Sequence, residues 1–108
     1  MNKQGLRTEG IVKMKSRKTT VKTRVIGNNH HLLRVDEELA TDLDEKQSKI
    51  FSAKIISIIN KQKPAVIIFE DYDKGVISHG LIEQIVQHAH KHKLKVVVDP
   101  KKRNFINY

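Results

Sequence analysis

The sequence predicts an α/β fold: a β-hairpin, then a helix, then a parallel βαβ unit. Three observations carry that prediction. A turn signal, Gly27-Asn28-Asn29, separates two stretches rich in β-branched and aliphatic residues. Two later segments carry apolar residues at spacings of three and four. A continuous apolar run, Ala65–Phe69, and a short apolar stretch, Leu94–Val98, broken by Lys95, bracket the second of those segments.

Taken in order, "TTVKTRVI" at 19–26 is the first hairpin strand and "HHLLRVD" at 30–36 the second. Gly and Asn tolerate the positive φ of a tight turn, which fits 27–29. A short strand around 10–15 is expected to join them. This section is polar on at least one face and needs another surface to cover the other. From Asp44 the pattern becomes helical, with Ile50, Phe51, Ile55, Ile58 and Ile59 forming the stripe. Asp42 or Asp44 can cap that helix, acids in the first turn suit its dipole, and Pro64 lies just past its end. "AVIIF" at 65–69 reads as a strand covered on both faces. Ser78 can cap a second helix with the stripe Leu81, Ile82, Ile85, Val86 and Ala89, and "LKVVVDP" at 94–100 is a strand stopped by Pro100.

A chain of 108 residues suffices for one small domain, with a modest core whose stability is marginal unless it pairs with another chain. Hydrophobic residues make up 38% of the sequence and the mean hydropathy is −0.49, which suits a protein in water. No apolar run approaches the ~20 residues of a membrane span. Met1–Gly5 leads into no apolar leader segment and there are no cysteines, so a reducing cytoplasm is the expected compartment and no membrane partner is expected. The formal charge of +9 is uneven. Residues 1–36 carry nine Lys/Arg against Glu9 and Asp36, a net of +7, and the rest is close to balanced. A basic arm of this kind suits nucleic acid or another polyanion. It lacks interleaved aromatics to stack bases, so a solvated Lys-rich strand surface is the stronger reading.

Two consecutive apolar strands joined by a helix run parallel, and ligands in such sheets bind outside the carboxyl ends of the strands. Those ends are Glu70-Asp71 and Asp99-Pro100. Asp71 and Lys74 follow one strand, Asp99 and Lys101 the other, which brings acids and ammonium groups to one edge. Carboxylates there can accept from hydroxyls and an ammonium can reach a phosphate. Gly75 supplies backbone freedom for the turn into the helix. Among six histidines, His88 and His92 share a helix face but no carboxylate completes a zinc set near them. His30 and His31 point to opposite sides of a strand.

Three segments resemble the ribokinase-like (PfkB) carbohydrate kinases, and within them the heptose-7-phosphate kinase branch, whose kinase domain is often fused to an adenylyltransferase that makes ADP-heptose. "TTVKTRVIGNNHHLLRVDEE" at 19–38 resembles the branch's "TTVKTRVIAGNQQLLRVDEE". "FEDYDKGVIS" at 69–78 resembles "SDYNKGVLT", and "VVVDPKKRNFINY" at 96–108 resembles "VLVDPKGKDFSRY". The order and spacing agree, and the likeness covers nearly all of this chain but only about the middle third of such a kinase domain. The resemblance implies a partial sugar-kinase domain, with residues 1–38 as a lid or hairpin section and 39–108 as the α/β section.

It further implies phosphoryl transfer from ATP, with magnesium, to a sugar phosphate on the way to ADP-heptose and lipopolysaccharide. By the same likeness Asp71, Lys74 and Gly75 form a sugar-facing loop, Lys22, Arg24 and Arg34 approach the sugar phosphate, and Asp99 and Lys101 lie near the nucleotide phosphates. For Arg34 and Asp36, cross-strand pairing with Lys22 or Arg24 is an equal expectation. The family's catalytic Asp lies in a "GAGD" motif that is absent here, where the glycines are Gly5, Gly10, Gly27, Gly75 and Gly80. The expectation is therefore no catalytic residue among these 108, no tight binding of ATP or magnesium, and negligible kinase activity alone. Departures matter too: Glu70 replaces a Ser, Lys102 stands at a turn Gly, and Asn104 stands where an Asp is usual. The exposed strands and small core imply a homodimer.

Overall fold

The computed structural model describes residues 2–108. Its elements are β1 (Val21–Gly27), β2 (His30–Glu37), α1 (Glu45–Gln62), β3 (Val66–Glu70), α2 (His79–Lys91) and β4 (Lys95–Asp99). Single 3-10 turns occupy Asn2–Gln4 and Lys102–Asn104. The expected order of hairpin, helix and βαβ unit holds. The expected strand at 10–15 does not form: that stretch is irregular, with a turn at each end. It lies against the helical layer instead, lining a cavity of about 600 Å³ with Arg17, Leu43, Phe51 and Val76.

β1 and β2 pair antiparallel, with Val25 opposite Leu33 and Lys22 opposite Asp36. Asn28 (φ 49°) and Asn29 (φ 61°) both take the left-handed conformation that a two-residue I′ turn requires. Val21, Val25, Leu33 and Val35 fall on one face of this ribbon, and all four are exposed. The hairpin projects, and the chain's radius of gyration of 16.7 Å exceeds the ~13 Å of a compact domain of this length.

α1 starts in a capping box. The Asp44 carboxylate accepts from Gln47 N–H at 2.7 Å, and the Gln47 side chain accepts from Asp44 N–H at 3.2 Å. It ends where Lys63 turns left-handed (φ 48°) ahead of Pro64. α2 begins under Ser78, whose hydroxyl accepts from Leu81 N–H. It ends in a Schellman motif: Leu94 N–H donates to Ala89 O, Lys93 N–H donates to His90 O, and Lys93 holds φ 56°.

β3 and β4 pair in parallel from Val66–Lys95 to Glu70–Asp99. Ile59, Phe69, Leu81, Ile82 and Ile85 form the buried core, with Phe51, Ile55, Ile67, Val96 and Val98 packed around it. The apolar stripes of both helices thus cover one face of the sheet. The other face is bare: Ile68 is 67% exposed and its register partner Val97 52%. A strand covered on both faces was expected at 65–69, and that expectation is corrected. The continuous apolar run needs helices on both sides of its sheet, and among the described residues α1 and α2 supply one side only.

Candidate functional site

The carboxyl edge of the parallel sheet is organised from the end of β3. Asp71 N–H donates to Asp99 O at 3.1 Å and carries the ladder one step past the last strand residues. The chain then folds into the loop 71–77, with Asp73 (φ 53°) and Gly75 (φ 73°) in the left-handed region. A Cβ on Gly75 would stand 2.0 Å from Thr41 O, so the loop can lie against residues 41–42 only with glycine there. Gly75 O in turn accepts from Leu43 N–H at 3.0 Å.

Asp71 is 2% exposed, and its carboxylate is saturated from inside. One oxygen accepts from Asp73 N–H at 2.7 Å. The other accepts from the Asn104 amide at 2.8 Å and from the Tyr108 hydroxyl at 3.2 Å. Asn104, also buried, donates to Ile77 O at 2.9 Å. Tyr108 meets Phe69 edge-on with ring centres 5.3 Å apart. Burial, reinforced by the Asp71 carboxylate, pushes the Tyr108 hydroxyl up to about 12. Asp71 is therefore the knot that ties the segment 101–108 to β3 and sets the shape of the loop.

Two arginines brace the loop from outside. The Arg103 guanidinium meets Asp42 and Asp73, each at 2.8 Å, joining three segments, and the hydrogen bond to Asp42 leads the interactions that raise its pKa. Arg17 donates to Thr41 O at 2.8 Å, to Leu39 O at 3.3 Å and to Lys74 O. The Lys74 ammonium pairs with Glu38 at 2.5 Å, just beyond the end of β2, which ties the loop to the base of the hairpin. At the neighbouring strand end Lys101 approaches Asp99 at 3.9 Å. Tyr72 donates to Glu70 at 2.7 Å, and that bond to a carboxylate raises the phenol's pKa.

The expected site residues therefore divide. Asp71, Lys74, Gly75, Asp99 and Lys101 do share one sheet edge. Asp71 and Lys74 make no ion pair with each other: one is buried and the other bonds to Glu38. Lys22, Arg24 and Arg34 lie on the hairpin, and among the described residues no ion pair or side-chain hydrogen bond links them to loop 71–77. Asp36 pairs with Lys22 across the strands at 3.4 Å and with Arg34 along its own strand at 3.1 Å, so the expected cross-strand pairing is formed for Asp36 and not for Arg34. Arg24 stands opposite Arg34, which concentrates positive charge midway along the ribbon.

Sequence reasoning missed Arg17, Arg103 and Tyr108 and undervalued Asn104. Long-range contacts of this kind leave no local pattern, since Arg17 and Arg103 both reach loops far away in sequence. Lys102, at a position where glycine is usual, adopts no positive φ; the backbone closes instead as a 3-10 turn in which Asn104 N–H donates to Lys101 O. Among the described residues no group of three or more His, Cys, Asp or Glu could hold a metal ion, and no helix is long and apolar enough to cross a membrane.

No protein-family model matches the chain. Curated proteins do. The chain is 33% identical over 109 residues, its whole length, to the bifunctional protein HldE of Magnetococcus marinus. It is 36% identical over 110 residues to the HldE protein of Aliarcobacter butzleri, and 35% identical over 105 residues, 94% of the chain, to that of Helicobacter pylori. It spans only about a fifth of the length of these relatives, 21–22% in each case. The chain belongs with the bifunctional HldE proteins, as the counterpart of one segment of them.

Proposed function

We propose that this chain is the sugar-facing section of an ATP-dependent kinase of the heptose-7-phosphate type, the reaction that feeds ADP-heptose and lipopolysaccharide synthesis. One observation carries the reading: a loop braced from three segments sits at the ligand-binding edge of a parallel sheet in a chain related to HldE proteins along its full length. In this reading Lys74 reaches the sugar or its phosphate, Gly75 and Asp71 hold the loop in shape, and Lys22, Arg24 and Arg34 add the positive field of the lid. Asp99 and Lys101 lie toward the nucleotide, where ATP and magnesium belong to the whole kinase. The 108 residues contain no candidate catalytic base, and the chain alone transfers no phosphate.

The test is a segment exchange. The matched segment of the Aliarcobacter butzleri HldE protein is replaced by these 108 residues, and phosphate transfer to heptose 7-phosphate is measured. Retained turnover that falls at least tenfold in Lys74→Ala supports the reading. A folded chimera without turnover refutes it. Turnover by the 108-residue chain alone overturns its assignment as inactive.

The exposed apolar face of the hairpin supports a homodimer. Val21, Val25, Leu33 and Val35 present four aliphatic side chains to water on a two-stranded ribbon, and such ribbons are marginal without a covering surface. Sedimentation is expected to show a dimer that Leu33→Lys converts to a monomer. A monomer at high concentration refutes it.

A further inference from the structure

The irregular stretch 10–14 walls one side of the cavity of about 600 Å³ over α1, a volume within the ~300–1,000 Å³ of small-molecule sites. Ile11, Met14, Leu43, Phe51 and Val76 give it an apolar surface. Its charge is of one sign: Lys13, Arg17 and Lys18 line it, and no acidic residue does. Lys18 pairs with Glu37 outside the lining. Lys13 has no ion pair or hydrogen bond among the described residues. Half-buried Arg17 donates only to the carbonyls of Leu39, Thr41 and Lys74, which cancel no charge. Its Nε–H and the second Nη1–H are left over. We infer that this cavity binds a small amphipathic anion, a hydrocarbon body bearing one phosphate or carboxylate group. The body lies against Leu43, Phe51 and Val76, and the head turns toward Lys13 and Arg17.

Both parts of the ligand are required by the lining. An apolar surface offers few partners to a body rich in hydroxyls, and burying such groups unpaired is costly. A hydrocarbon body gains from the same surface, and an aromatic one can also meet Phe51 and the Met14 sulfur. An inorganic anion alone gains little, because ion pairs with exposed lysines are weak. An uncharged hydrocarbon alone leaves three like charges facing one another around the cavity. The anionic head relieves that repulsion, and the body holds it where water is partly excluded. Val76 belongs to loop 71–77, and Arg17 holds Lys74 O, so an occupied cavity also steadies the brace on that loop. Neither Lys74 nor Asp99 lines the cavity, so this site stands or falls independently of the kinase reading.

The test titrates the 108-residue chain with 1-naphthyl phosphate, 1-naphthoate, 1-naphthol and inorganic phosphate by calorimetry. The expected result is one site per chain for at least one naphthyl anion, and the tighter of the two identifies the head group. Naphthol binds at least ~10-fold more weakly, the factor of one hydrogen bond to a charged group, and inorganic phosphate gives no saturable heat. Lys13→Glu, at an exposed position, lowers the affinity for the naphthyl anion by at least ~10-fold. Lys15→Glu makes the same change of charge at an exposed residue outside the lining and leaves the affinity unchanged. Ile11→Asp, which puts a carboxylate into the wall, weakens binding as well. Naphthol bound as tightly as the anions, affinity untouched by Lys13→Glu, an equal loss in Lys15→Glu, or no saturable binding of either anion overturns the inference.

Discussion

Replacing Asp71 by Ala puts the central feature of the sheet edge at risk. Its carboxylate accepts three internal hydrogen bonds, from Asp73 N–H, the Asn104 amide and the Tyr108 hydroxyl. Hydrogen bonds to an ionised acceptor contribute about 1.5–3 kcal/mol each. Not all of that is lost: Asn104 keeps Ile77 O, and the partly exposed Tyr108 can turn to water. The net cost in Asp71→Ala is therefore about 3 kcal/mol, including the Asp73 N–H left without its acceptor. With urea slopes of about 1–3 kcal/mol/M for small proteins, the unfolding midpoint falls by at least about 1 M. The assay is urea denaturation followed by circular dichroism, with Asp71→Asn as the milder companion. A carboxylate kept chiefly to face a ligand gives the opposite outcome, because removing such a group is neutral or stabilising. A midpoint that is unchanged or raised refutes the knot.

Asn104→Asp places a second carboxylate beside Asp71. The two share a proton, so the folded-state pKa of the pair rises; the variant is closest to wild type near pH 4 (about the ordinary Asp range) and loses stability as pH climbs toward 7. A pH-independent penalty refutes charge repulsion as the cause. Tyr108 ionises at about 12 rather than near 10, so its contribution to stability is complete below pH 10 and lost between about 10 and 12. The tyrosinate absorbance that disappears in Tyr108→Phe is expected to titrate in that upper range, and titration at the ordinary value contradicts the contact with Asp71. Gly75→Ala meets Thr41 O with φ at 73°, and destabilisation of more than about 2 kcal/mol is expected in the same urea assay. A smaller effect shows that residues 41–42 can retreat.

Much of the architecture was legible because its causes are local. Caps at Asp44 and Ser78, the α2 stripe and the Asn-Asn turn each act within a few residues and formed as read, whereas the two apolar runs formed strands with one face left bare and Ile50 of the expected α1 stripe is exposed. The site was legible by position only. That Asp71, Lys74, Asp99 and Lys101 share an edge follows from parallel βαβ topology, since the carboxyl ends of both strands must lie together. What each side chain does there depends on partners dozens of residues away. Asp71 read as a sugar-facing carboxylate, yet it is 2% exposed and bonded to Asn104 and Tyr108.

Because propensity, capping and turn chemistry are properties of neighbours in the chain, the amino-acid order by itself determined the hairpin, both helices and the two parallel strands, though not the stretch 10–15, which reads as a strand and is irregular. It also carried the likeness to the HldE proteins, which resides in motifs. Only the tertiary structure decided which face of the sheet is covered, which arginines brace the loop, and that Asn60 on α1 bonds to His88 on α2. Those outcomes depend on through-space distance and burial, where an ångström or a missing helix changes the result.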